Sequence, residues 1–223
     1  MRYLLLLSGF LLIYSVSYSQ EVYTMSGGEI IFQSGHITQA DNDVNTNLRF
    51  TMALHIGEFI HADFGNNFGL FSGIGIRNVG FITDENDIRI KYRSYTLGIP
   101  MAFKIGSFKE NLYFFGGAEY EWMFNFKQKT LRDGGKYKYS SWFSSRTPAL
   151  IPSVFAGFQF TGGLQVKFRY YLDNFLNHNF NGGEYSDYTL FSKTQVWYIA
   201  LSYLIRNKKK NGSEVVPVEM AIQ

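Results

Sequence analysis

The residues able to do acid–base, nucleophilic or metal chemistry are few and badly spaced for it. The four histidines, His36, His55, His61 and His178, show no HExxH or comparable ligand spacing, and there is no cysteine to complete a metal set. No GxSxG elbow and no phosphate-binding loop occurs. The stretch "SGIGIRNVG" has closely spaced glycines, but it lies inside a strand pattern with no helix after it, so it makes no nucleotide cradle. A lipid-modifying hydrolase would need a Ser–His pair on one outward face. Ser72 reads as outward, His55 as inward and His61 as part of a turn. The expectation is a non-enzymatic protein with no catalytic, cofactor-binding or metal-binding residues.

What remains is charge in unusual places. Arg49, Arg77, Lys104, Glu119, Glu121, Lys167 and Arg169, with His55 and Asp173, each stand inside segments otherwise built of Phe, Tyr, Leu, Ile and Gly. Their chemistry is ion pairing. Charges withdrawn from water must find partners, so Glu119 and Glu121 are expected to accept from Arg169, Lys167 or Arg77. A second cluster is "KQKTLRDGGKYKYSSWFSSRT", with Lys127, Lys129, Arg132, Lys136, Lys138 and Arg146 against Asp133 alone, and Tyr137, Tyr139, Trp142 and Phe143 interleaved. It reads as a solvated hairpin extension, or as a contact for lipopolysaccharide phosphates or another external polyanion.

Strands must position these groups. Leu48, Phe50, Met52, Leu54 and Ile56 alternate with Arg49, Thr51, Ala53, His55 and Gly57. Leu164, Val166, Phe168, Tyr170 and Leu172 alternate with Gln165, Lys167, Arg169, Tyr171 and Asp173. The same rhythm runs through Leu112–Phe126 and Tyr92–Ile105, and recurs in Leu150–Phe160 and Val196–Arg206. A weaker strand over about Met25–Gly35 and the stretch Asn67–Ile82 complete eight. Most exceed the ~9–11 residues a tilted strand needs to cross a bilayer. The composition agrees: 22 Phe, 16 Tyr, 3 Trp and 22 Gly favour strands and tight turns.

The fold class expected is therefore all-β, an eight-stranded antiparallel up-and-down transmembrane β-barrel, closed because lipid offers an open edge no partner. Its apolar rows face lipid, and the charged row fills a narrow lumen as an ion-pair plug. A soluble exported sandwich or lipocalin-like barrel is the alternative fold, with its apolar rows turned inward. Residues 1–19 read as a signal peptide: Arg2, an apolar core over Leu4–Val16, and small residues at Ser17 and Ser19. Residues 20–206 form the barrel, and 207–223 form a polar periplasmic tail. The long connections His36–Thr46, Thr83–Ile88, Lys127–Thr147 and Asn174–Lys193 fall outside the cell; His61–Asn67, Gly106–Asn111 and Thr161–Gly163 are periplasmic turns.

The signal ending "SYSQ", the stretch "HADFGNNFGLFSGIGIRNVGFI", and "KYRSYTLGIPMAFKIG" followed by "LYFFGGAEYEWMFNFKQK" resemble the outer-membrane β-barrel proteins of Bacteroidetes-type, Gram-negative bacteria, the PorT-like family. The resemblance covers essentially the whole mature chain. It implies the cell outer membrane as location and carries over no binding residue. Unlike many such barrels, this chain continues past the last strand at Arg206, so any terminal insertion signal lies internally, near Tyr203–Ile205. The function expected is structural or surface-interacting. The alternative, implied by relatives in the group, is a narrow transport pore or secretion-accessory barrel. Expected partners are outer-membrane lipids and lipopolysaccharide, with no nucleic acid, and the expected state is a monomer.

Overall fold

The computed structural model describes residues 20–40, 42–52, 54–85, 87–182 and 186–207. The expected signal peptide, and the tail apart from Asn207, lie outside the described residues. The strands are β1 (Gln20–Gln39), β2 (Asn42–Asp43), β3 (Thr46–Asn47), β4 (Arg49–Thr51), β5 (Ile56–Phe64), β6 (Phe68–Glu85), β7 (Ile88–Ser107), β8 (Leu112–Arg132), β9 (Gly135–Trp142), β10 (Leu150–Gln159), β11 (Leu164–Tyr171) and β12 (Phe191–Arg206). Eight of them close a ring in the order β1, β5, β6, β7, β8, β10, β11, β12 and back to β1, every pair antiparallel. β8 serves two partners. Its lower part, Tyr113–Trp122, pairs with β10, and its upper part, Asn125–Arg132, with β9.

The barrel is inside-out relative to a soluble one. On β7, Met101 is 75% exposed while Lys104 is 0% exposed. On β11 and β12, Val166, Phe168, Ile199, Leu201 and Tyr203 lie outside, and Gln165, Lys167, Arg169 and Ser202 are buried. An exterior of contiguous large apolar side chains over a charged interior suits lipid outside and side-chain packing within. One end of the barrel carries tight turns, such as Gly65–Asn67 and Thr161–Gly163; the other carries the long connections.

Four local expectations are corrected. β1 is longer than Met25–Gly35, because its outward residues Thr24, Ser26, Gly28 and Ser34 carry no apolar signal. The second barrel strand is β5 rather than Leu48–Gly57. The chain leaves the ladder between β4 and β5, with Leu54 at φ 59°, and His61 lies inside β5 facing inward, not in a turn. Phe126 is buried rather than lipid-facing. Tyr95 pairs with Asn125 but Thr96 with Met123, and this extra residue on β8 inverts the alternation above it, turning Phe126, Gln128 and Thr130 inward. Asp173 is exposed beyond β11, where it accepts from the Asn174 amide at 2.7 Å, instead of entering the lumen.

Above the lumen charges, the long-loop end is filled by an apolar cluster that includes Phe81, Tyr92, Phe126, Phe175, Leu176, Tyr188 and Phe191. Phe175, Leu176 and Tyr188 come from the connection between β11 and β12, which folds into the barrel mouth.

Candidate functional site

Two charged regions are built by these strands, and they differ in how their cations are satisfied. In the middle of the lumen, β6 and β11 present Arg77 and Arg169, and β8 presents Glu119 and Glu121. Arg77 Nη1 and Arg169 Nη2 both donate to Glu119. Arg169 Nη1 also donates to Glu121 Oε1 at 2.7 Å and to Ser153 Oγ at 2.9 Å. Glu121 further accepts from Tyr171 at 2.8 Å and from Thr96 at 2.5 Å.

Arg77 Nε reaches Glu29 Oε1 at 3.2 Å, and Lys167 Nζ lies 3.0 Å from Glu29 Oε2. Three carboxylates therefore face three cations, all buried. Glu29 is the member that sequence reasoning missed. Glycines make the space: a Cβ on Gly75 would come within 2.9 Å of the Arg77 guanidinium, and one on Gly98 would overlap the Glu119 carboxylate. The cavity left among these groups is about 20 Å³, room for about one water.

Lys104 and Arg49 do not join this network. Toward the tight-turn end, Lys104 Nζ pairs with Asp63 at 2.5 Å, donates to Tyr23 at 2.7 Å, and sits over the Phe108 ring at 4.4 Å. Toward the other end, Arg49 donates to the Asn78 side chain at 2.7 Å, with no carboxylate partner among the described residues. His55 is buried beside Asn78, accepting from its amide at 3.4 Å. Ser72 faces outward and donates to the Pro100 carbonyl at 2.7 Å, and the outward-facing His36 pairs with Asp43 instead. No group of His, Cys, Asp and Glu that could hold a metal occurs among the described residues.

The second region is the outer face of upper β7, β8 and β9. The bulge at Phe124 turns Lys127 and Lys129 outward, and ladder register then stacks cations in rows. Lys91 lies directly across from Lys129, which lies across from Lys138. Arg93 faces Lys127, and Arg89 and Lys136 flank Leu131. Like charges in direct cross-strand register repel. Burial first, and then Lys129, Arg89 and Arg93, hold the Lys91 pKa below its ordinary value. Among the described residues, only Arg89 in this set has a carboxylate, donating to Asp84 at 2.8 Å. Arg89, Lys91 and Arg93 were not singled out from sequence, because cross-strand register is invisible in one strand's pattern.

Just below these rows lies an aromatic girdle. Phe124 stacks on Trp142 at 5.8 Å, Trp122 on Phe143 at 5.5 Å and Tyr95 on Phe124 at 6.4 Å, with Lys127 over Tyr95 at 4.8 Å. Such girdles sit at the membrane–water boundary, which places the basic rows at headgroup height. Arg132 lies over Tyr137. Arg146, expected in a solvated loop, is instead buried: it stacks on Tyr139 at 4.2 Å and Phe180 at 4.4 Å. Burial opposes its charge, but hydrogen bonds to Tyr188 and Tyr139 outweigh this and raise its pKa.

No protein-family model matches the chain, and no curated protein matches it. Solved structures do. The chain is similar to the attachment invasion locus protein Ail of Yersinia pestis, solved with the heparin analogue sucrose octasulfate, at 14% identity and a TM-score of 0.40, covering 82% of this chain and 99% of that one. It is similar to Neisserial surface protein A at 8% identity and a TM-score of 0.40, covering 84% and 98%. A third is the outer membrane protein OprG from Pseudomonas aeruginosa, at 10% identity and a TM-score of 0.37, covering 82% and 95%. No residue role is carried over from them.

Proposed function

We propose that this chain is a non-enzymatic integral outer-membrane barrel of the PorT-like kind, exported by its N-terminal signal. Its lumen is closed by ion pairs, and its outer face is a binding surface for anionic headgroups. The tight turns face the periplasm and the long connections face outward. The observation that carries the reading is the cation rows Lys91–Lys129–Lys138 and Arg93–Lys127 directly above the aromatic girdle. Lysines held in mutual register at headgroup height are stabilised by a multivalent anion bridging them, and the phosphates of lipopolysaccharide are the anions at that height.

The test is binding of lipopolysaccharide to the barrel in lipid nanodiscs, compared with the same lipid dephosphorylated. Binding that weakens with salt, needs the phosphates and is lost when Lys91, Lys129 and Lys138 become Gln supports the proposal. Equal binding of both lipids contradicts it.

A further inference from the structure

The lipid-facing surface is not uniform. Around most of the ring it carries Ile, Leu, Phe and Met; on β1 and β5 the row of Val22, Ile30, Ile56 and Ile60 is interrupted by Thr24, Ser26, Gly28, Glu58 and Ala62. Glu58 points outward between Ile56 and Ile60, and its neighbours across the two ladders are Ser26 and Ile74. Among the described residues no hydrogen-bond donor or cation pairs with its carboxyl group.

Its height is set by aromatic pairs above and below. Phe64 stacks on Phe68 at 6.1 Å, six residues below Glu58 on β5; Phe32 meets Phe50 at 5.3 Å, six residues above Ser26 on β1. Six residues of a strand tilted by ~40° climb roughly 15 Å, which puts Glu58 near the middle of a ~25 Å apolar band. A carboxyl group there is costly without a partner. Beside it runs an outward groove of about 420 Å³, lined by Ser26, Gly57, Glu58, Ile74, Ile76 and Leu97.

We infer that this lane docks a second copy of the same chain. Two copies in one membrane share an orientation, so a two-fold axis relating them runs along the membrane normal and preserves height. Ser26 and Glu58 are ladder partners, and on strands tilted by ~40° they differ in height by only about 3 Å, within reach of the longer Glu58 side chain. The rotation sets β1 of each copy against β5 of the other. The Asn207 side chain donates to Thr24 Oγ1 at 3.0 Å and to Ser26 Oγ at 2.8 Å. This leaves the Ser26 proton to donate to the partner's Glu58 carboxyl, giving two symmetric hydrogen bonds in lipid. The small side chains of Thr24, Gly28 and Ala62 let the two walls approach closely. The sequence alone leads to a monomer; the unpartnered carboxyl in mid-membrane supplies a reason for a pair. The inference rests on the barrel spanning a membrane.

The chain has no cysteine, so single-cysteine variants are unambiguous. Thr24→Cys and Ile60→Cys, at ladder-partner positions and carrying different tags, are reconstituted together in lipid vesicles and oxidised. The pairing predicts a mixed Thr24–Ile60 cross-link between chains. Adding Glu58→Leu to both lowers its yield about tenfold, the order expected for losing two hydrogen bonds in lipid. The equivalent pair on the far wall, Ala118→Cys with Val154→Cys, stays unlinked. Heat-shifted gel migration of the same samples reports the membrane barrel separately. A heat-shifted protein that gives no mixed cross-link, or one that links equally at the far wall, overturns the pairing while leaving the barrel intact. So does a cross-link yield unaffected by Glu58→Leu.

Discussion

The lumen and the outer basic face are both dense in Arg and Lys, yet they are built on opposite principles. In the lumen, Arg77, Arg169 and Lys167 meet Glu29, Glu119 and Glu121, and all six side chains are buried. On the outer face, Lys91, Lys129 and Lys138 meet one another. The difference lies in where the acids stand, not in how many cations there are. Buried cations with matched carboxylates hold strands in register and occupy space. Exposed cations stacked without acids leave a field that attracts something else.

This contrast sets the ranking of expected effects. Replacing both Glu119 and Glu121 by Gln leaves Arg169 buried without a carboxylate and Arg77 sharing Glu29 with Lys167, at a cost of about 3–5 kcal/mol for each broken pair. The double variant should lose the heat-resistant gel form expected of the wild-type barrel, and thermal unfolding in detergent measures it. Replacing Lys91, Lys129 and Lys138 by Gln should do the reverse. Relieved repulsion leaves the unfolding temperature equal or slightly higher, by a few tenths of a kcal/mol per pair. Lipopolysaccharide binding should fall at least tenfold. If the Lys variant unfolds as readily as the Glu variant, the division between the two regions fails.

Arg146 lies between the extremes, buried but held by aromatic rings and Tyr188 rather than by an acid. Its backbone carbonyl accepts from Asn177, and Asn177 donates to the Ser145 carbonyl at 2.8 Å, so it ties the two largest loops together. Arg146→Ala should cost about 1–2 kcal/mol, the scale of a cation–π contact with a hydrogen bond. That cost falls on the loop: residues 172–182 should open to protease while barrel melting stays unchanged.

The smallest effect concerns Asp84. Its pKa is held below the usual carboxylate range by hydrogen bonds from Arg89, with Asn47 adding to them. A depressed folded pKa gives stability that is present above the ordinary carboxylate range and is lost as pH falls through the folded value. Amide protection factors, exchange corrected for its intrinsic pH dependence, should therefore fall at the tips of β3 and β6 on acidification, and Asp84→Asn should remove that fall.

How much was legible follows from what alternation can and cannot encode. The eight-stranded ring and its inside-out polarity are written in period-two rows such as Leu164–Leu172. One residue type per face repeats there, and a single strand suffices to read it. β1 escaped in part because Thr24, Ser26 and Gly28 break the apolar row, and with it went Glu29, the acid that completes the lumen network. Phe126 was misplaced because a one-residue bulge inverts the faces without changing composition. The Lys91–Lys129–Lys138 row was hidden for a different reason: each lysine is ordinary on its own strand, and only ladder register makes the three neighbours.

The central claim is that the lumen cations are matched by acids and the channel is closed, so that the protein acts through its outer face. Single-channel recording of the purified wild-type barrel in planar bilayers tests this most directly. The account predicts a quiet trace at voltages and salt concentrations where a porin of known size conducts. Stable, repeated conductance steps from the wild type would contradict it and support the narrow transport pore instead.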